Sequence, residues 1–149
     1  MAIELRAVTR ENYREALRLE VAPEQERFVA TNAVSLAQVA FEPGLTPLLA
    51  YAGETPVGFA MVERDEAAGQ WWIPRVMIGA DHQGKGHGRT LMRALLAWMR
   101  ERHGCEEVLI SYVPDNDVAA RLYASLGFVP TGEVIDGETV ARLELAASS

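Results

Sequence analysis

The spacing of apolar positions changes period several times along this chain, and each change marks an element. Ile3 to Val8 reads as a first strand, with Thr9 as the N-cap of an amphipathic helix over Glu11 to Leu19. Glu24 to Phe41 carries a helical pattern interrupted near Thr31-Asn32, which predicts one or two short helices. Leu48 to Ala52 and Val57 to Glu63 are compact apolar runs joined by Gly53-Glu54-Thr55-Pro56. A second turn at Ala67-Ala68-Gly69 leads into Trp71 to Gly79, so the three runs predict an antiparallel meander. A long helix ending near His103-Gly104 comes next, then a strand over Val108 to Tyr112 and a helix over Asn116 to Leu126. The chain closes in a hairpin turning at Asp136-Gly137, and Ala146 to Ser149 is expected to fray. This order of elements suits a mixed, mostly antiparallel α/β sheet with helices on both faces.

Between the strand and the long helix lies a turn with three alternate glycines, Gly84, Gly86 and Gly88. Removing every other Cβ lets successive backbone N–H groups converge on an anion. The helix that follows, with Leu91, Leu95, Leu96 and Met99 at helical spacing, directs the positive end of its dipole into the same loop. The ligand this predicts is phosphorylated. A Walker A loop is excluded because Gly86 stands where a magnesium-binding Ser or Thr must follow Gly84-Lys85. The dinucleotide fingerprint fails as well, with Arg89 at its third glycine and no second βαβ half.

The segment resembles the acetyl-CoA-binding motif of the GNAT superfamily of N-acetyltransferases, Q/R-x-x-G-x-G/A, met here as Gln83, Gly86 and Gly88. A second signature of that family is similar to Asn116-x-x-Ala119-x-x-x-Tyr123-x-x-x-Gly127-Phe128, at the expected distance downstream. The resemblance implies a GNAT-like fold with acetyl-CoA as cosubstrate. It implies that Gln83, Gly84, Lys85, Gly86, His87, Gly88 and Arg89 hold the pyrophosphate. Backbone groups of Val76, Met77 and Ile78 would pair with the pantetheine arm as with another strand. The thioester oxygen would meet the N–H of Met77 or Ile78. By the same resemblance Tyr123 is the general acid, Ala119 and Ala120 leave room for the arm, and Asn116 either bonds the cofactor or caps its helix. A neutral phenol, with a pKa of about 10, donates to a departing thiolate without being ionised at neutral pH. Spacing alone also fits a core tyrosine at 123.

With 149 residues, about half of them apolar, the chain suits a single domain with a sizeable core. The formal charge of −7 disfavours a nucleic-acid partner and suits a cationic substrate, although solubility explains it as well. No charged leader or membrane-length apolar run is seen, so no membrane partner and a cytoplasmic location are expected. Cys105 is alone, and His82, His87 and His103 lack ligand spacing, reading instead as loop or helix-end residues; no metal is expected.

The block Pro23 to Asn32, the approach Trp72-Ile73-x-Arg75, Ser111-Tyr112-x-Pro114 and the ending Thr131 to Glu138 are similar to bacterial spermine/spermidine N-acetyltransferases. That resemblance implies a polyamine or other small primary amine as substrate, acetylated by direct transfer in a ternary complex, and it admits a homodimer. Acetylation of a protein lysine, an N-terminal amine or an antibiotic amine is the alternative within the enzyme class. A catalytically silent acyl-CoA sensor is the alternative outside it. The early helices wall the acceptor site in this family, so Glu20, Glu24, Glu26 and Glu42 are candidates for attracting a polycation, Glu24 and Glu26 above all, and a solvated helix face explains them equally well. Many relatives carry a carboxylate just ahead of the cofactor-pairing strand section, where this chain has Pro74 and Arg75; the remaining candidates for a base are Glu24, Glu26, Glu63 and Asp65.

Overall fold

A computed structural model of the protein describes residues 2–145, so the expectation for Ala146 to Ser149 lies outside the described residues. Seven strands, β1 (Ile3–Ala7), β2 (Leu45–Ala52), β3 (Thr55–Asp65), β4 (Gln70–Ile78), β5 (Glu107–Tyr112), β6 (Val129–Ile135) and β7 (Glu138–Glu144), form one sheet. They lie in the order β1-β2-β3-β4-β5-β7-β6. Every neighbouring pair is antiparallel except β4 and β5, which run parallel across the connection that contains the long helix.

Alternation along β3 assigns the two faces. Ala60 and Val62 join Leu91, Met92, Leu95 and Met99 of helix α3 (His87–His103), with Tyr123 of helix α4 (Asp117–Ser125) in the same cluster. Phe59 and Met61 point the other way, onto Ala16 of helix α1 (Tyr13–Arg18) and onto Leu36 and Val39 of helix α2 (Asn32–Phe41). Helices therefore cover both faces, as the sequence pattern predicts. Complete burial of Leu91, Met92, Leu95 and Met99 seats α3 firmly on its face of the sheet.

The first helix begins later than expected. Thr9 accepts from the Glu11 N–H at 3.3 Å and its carbonyl accepts from the Tyr13 N–H at 3.0 Å, so Thr9 organises a turn and regular α-helix starts only at Tyr13. The break at Thr31-Asn32 is a cap: Thr31 Oγ1 accepts from the Val34 N–H at 3.2 Å. Ahead of it the chain forms a separate 3-10 turn over Pro23–Phe28. Buried Asn32 donates to the carbonyls of Ala16 at 2.8 Å and Leu19 at 3.2 Å, fixing the end of α1 and hence the position of that turn. Among the described residues no helix is long and apolar enough to cross a membrane.

Candidate active site

The parallel strands β4 and β5 are paired only at Trp72–Leu109 and Ile73–Ile110. Pro74 follows at once, and a proline has no N–H to offer β5. On the other side, Arg75 pairs with Met61 while Trp72 pairs with Glu63, so β4 carries one extra residue and bends there. Beyond Pro74 no β4–β5 pairing remains, and the facing unpaired edges of the two strands define a cleft at their C-terminal ends.

The register tells which backbone groups face that cleft. The Gly79 N–H donates to Val57 O at 2.9 Å, so the neighbouring pair Gly58–Ile78 exchanges no hydrogen bonds, the pair Phe59–Met77 does, and Ala60–Val76 does not. Met77 thus turns its N–H and C=O towards β3. Val76 and Ile78 turn theirs towards the cleft.

At the end of β4 the glycine loop leads into α3. Gly84 and Gly86 have φ of 77° and 81°, in the left-handed region that glycine tolerates, and a Cβ on either would stand in open space. Gly88 is different: it lies in the first turn of α3 without positive φ, and a Cβ there would touch only Leu122 Cδ2 at 3.7 Å. His87, the first residue of α3, is buried. Burial, followed by the positive charge of Lys85 and His82, lowers its pKa below the ordinary value and keeps the ring neutral. Gln83 faces inward; its Nε2 donates to Ile78 O at 2.9 Å and to Gln25 Oε1 at 2.8 Å.

On the β5 side, Tyr123 is 7% exposed and lies with its ring 5.6 Å from that of Tyr112, the last residue of β5, and 5.9 Å from Phe128. Burial, with smaller contributions from Tyr112 and Glu138, raises its pKa above that of a free phenol, so the hydroxyl keeps its proton across the physiological range. Of the two roles open to Asn116, the structure displays capping: its Oδ1 accepts from the Ala119 N–H at 3.3 Å. His103 ends α3 against Trp71 and Trp98, with ring centroids 4.4 and 5.2 Å away, and His82 ends a 3-10 turn after β4.

The four candidate carboxylates separate. Glu24 and Glu26 are exposed on the Pro23–Phe28 turn. Glu63 sits on β3, where burial, then Asp65 and Glu42, raise its pKa, opposed by Arg75. Arg75 itself donates to Pro74 O at 2.8 Å and to Gln38 Oε1 of α2 at 3.0 Å. Gln25 was not legible as a site residue, and neither was the pair Arg27–Asp115 at 2.8 Å, because only the fold brings these partners together. Among the described residues no group of three or more His, Cys, Asp or Glu is placed to hold a metal ion.

The sequence model of the Acetyltransferase (GNAT) family matches residues 5–128. The chain is 32% identical to the spermine/spermidine N(1)-acetyltransferase of Bacillus subtilis (strain 168), across 97% of this chain and 100% of the relative. The fold matches the crystal structure of spermidine N-acetyltransferase from Vibrio cholerae in complex with CoA and spermine, with a TM-score of 0.72 and 18% identity over 94% of this chain and 92% of that one. It also matches the aminoglycoside acetyltransferase AAC(6')-Ib in complex with coenzyme A, with a TM-score of 0.76 and 21% identity over 96% and 95% of the two chains. At these identities the two structures speak to the fold alone.

Proposed function

This chain belongs to the acetyltransferase (GNAT) family and is an N-acetyltransferase, and from that premise we propose that it moves the acetyl group of acetyl-CoA directly onto a primary amine of spermidine or spermine. The observation that carries the reading is the cleft between β4 and β5, with the glycine loop at one strand end and Tyr123 beside the other. The polyamine assignment is supported by full-length similarity to the spermine/spermidine enzyme.

In this reading, N–H groups of Gly84 to Arg89 and the positive end of α3 hold the pyrophosphate. The outward backbone groups of Val76 and Ile78 bond the pantetheine arm, and an N–H of this pair faces the thioester oxygen as negative charge grows on it. Met77 contributes its buried side chain to the core, its amide being engaged with β3.

The amine nitrogen attacks the thioester carbon, the C–S bond breaks, and one proton passes from nitrogen to sulfur. Moving a proton from a phenol of ordinary pKa to a thiolate is uphill by about 2 kcal/mol, and burial of Tyr123 steepens it. Tyr123 therefore acts as a hydrogen-bond donor while charge develops on sulfur, and completes its transfer as a proton from the new ammonium centre replaces the one it gives. An amine of pKa about 10.4 must first lose a proton to bulk or to a base. Of the four carboxylates, Glu63 has the environment that best suits proton acceptance, since burial, then Asp65 and Glu42, raise its pKa above the ordinary carboxylate value. Glu24 and Glu26, at the rim, attract the distal ammonium groups.

The test is a panel of initial rates for spermidine, spermine, putrescine, a monoamine and a lysine peptide at two ionic strengths. Spermidine and spermine should have the highest kcat/KM, with the margin shrinking at high salt. A best rate on the peptide moves the acceptor to protein lysine. No CoA release with any amine moves the protein to the silent sensor.

A further inference from the structure

The turn Pro23–Phe28 is fastened on both sides of the cleft. Towards β4, Gln25 Nε2 donates to Gln83 Oε1 at 3.1 Å and Gln83 Nε2 donates back to Gln25 Oε1 at 2.8 Å, closing a two-bond amide ring. The ring is extended at both ends. Gln83 Nε2 also donates to Ile78 O, and Gln25 Oε1 also accepts from the Ala22 N–H at 3.1 Å. Towards β5, Arg27 Nη1 meets Asp115 Oδ2 at 2.8 Å in the loop ahead of α4. The turn is therefore a strap across the C-terminal ends of the two strands that part.

The two fastenings differ in strength. Arg27 and Asp115 side chains are 61% and 62% exposed, and so exposed an ion pair contributes little and is screened by salt. Gln25 and Gln83 are half-buried, and breaking their ring leaves Gln83 and the Ala22 N–H short of a partner away from bulk water. Gln83 also opens the loop that receives the pyrophosphate in the reading above. Whatever fixes that loop fixes Gln83, and through Gln25 it fixes the strap bearing Glu24 and Glu26.

We propose that Gln25 is a positioning residue that couples cofactor occupancy to assembly of the acceptor site. It touches neither cofactor nor amine; it transmits the order of the loop to the strap. The inference rests on acetyl-CoA seating at Gln83 to Arg89. Because such coupling is reciprocal, a bound acceptor also tightens the cofactor by the same factor.

Gln25→Ala and Arg27→Ala are compared with the parent in two ways. In kinetics, Gln25→Ala should raise the KM for spermidine about tenfold while kcat and the binary Kd for acetyl-CoA stay within about twofold, and Arg27→Ala should have a smaller effect that vanishes at high salt. In hydrogen exchange, CoA added to the parent should slow exchange in the Gly84–Arg89 loop and also at the Ala22 and Gln25 amides. In Gln25→Ala, CoA should protect the loop and leave the strap unchanged. Equal strap protection in Gln25→Ala, or loop protection without strap protection in the parent, overturns the proposal, as does an unchanged KM. The exchange arm needs no acceptor. If no amine is acetylated while CoA couples loop to strap, the polyamine assignment fails and the role of Gln25 stands; if CoA leaves the parent's loop unprotected, both fall.

Discussion

Gly88→Ala separates what the glycine loop needs for folding from what it needs for binding. Gly88 lies one residue into α3 and has no positive φ, and an added Cβ meets only Leu122 Cδ2 at 3.7 Å, an ordinary contact. Alanine in a helix interior is favoured over glycine by about 0.8–1.0 kcal/mol, and roughly half of that applies in a first turn. The unliganded variant should therefore gain about 0.5 kcal/mol, which for a chain of this size raises Tm by about 1–2 °C. The ligand should respond in the opposite sense. With the pyrophosphate seated at this loop as proposed, a methyl group that keeps it from the Gly88 N–H removes one charge-assisted hydrogen bond, about 1.5–3 kcal/mol, or about 10- to 150-fold in Kd. Differential scanning calorimetry of the free protein and titration calorimetry with acetyl-CoA measure the two halves. A variant as stable as the parent whose affinity for acetyl-CoA lies within twofold of it refutes the seating of phosphate at this loop. A strongly destabilised variant refutes the packing argument.

Two further predictions concern the same end of the cleft. His87 is neutral in the folded protein and its pKa is lowered by burial, Lys85 and His82; the unfolded chain takes up the proton first on acidification. Its stability contribution is thus complete above pH about 6.5 and is lost as pH falls from there through the lowered folded value, so His87→Gln should flatten the pH dependence of Tm in that window. Asn116→Ala removes the Oδ1 acceptor from the Ala119 N–H and should lower stability by about 1 kcal/mol in urea unfolding, whereas Asn116→Asp should retain most of it.

What the sequence revealed follows from where the information resides. Gly84 and Gly86 announce themselves because the backbone conformation they adopt excludes most other residues, and the helix after them has an unambiguous apolar stripe. Tyr123 was legible as a candidate through its family signature, while its packing against Tyr112 and Phe128 appears only in the fold. In the sequence Pro74 signifies only that no carboxylate stands there; the structure gives it a positive role as the point where β4 leaves β5. The Thr9 cap misplaced the start of α1 because its side chain serves a turn that precedes the helix. Gln25 was invisible because its partner is 58 residues away and both are uncharged amides with no pattern of their own. Glu63 differs from other acidic residues first through its burial and then through Asp65 and Glu42, and neither the burial nor the approach of Glu42 can be read from a local window.

The most direct test of the account is single-turnover transfer from acetyl-CoA to spermidine by the parent and by Tyr123→Phe, with mass spectrometry of the quenched mixture. The account predicts that the parent forms N-acetylspermidine and CoA in equal amounts, with no acetylated protein when the amine is omitted. It predicts that Tyr123→Phe binds acetyl-CoA as tightly and reacts about 10²- to 10⁴-fold more slowly. An acetyl-protein formed without amine, or a Tyr123→Phe rate within a few-fold of the parent's, would contradict direct transfer with Tyr123 as the proton donor.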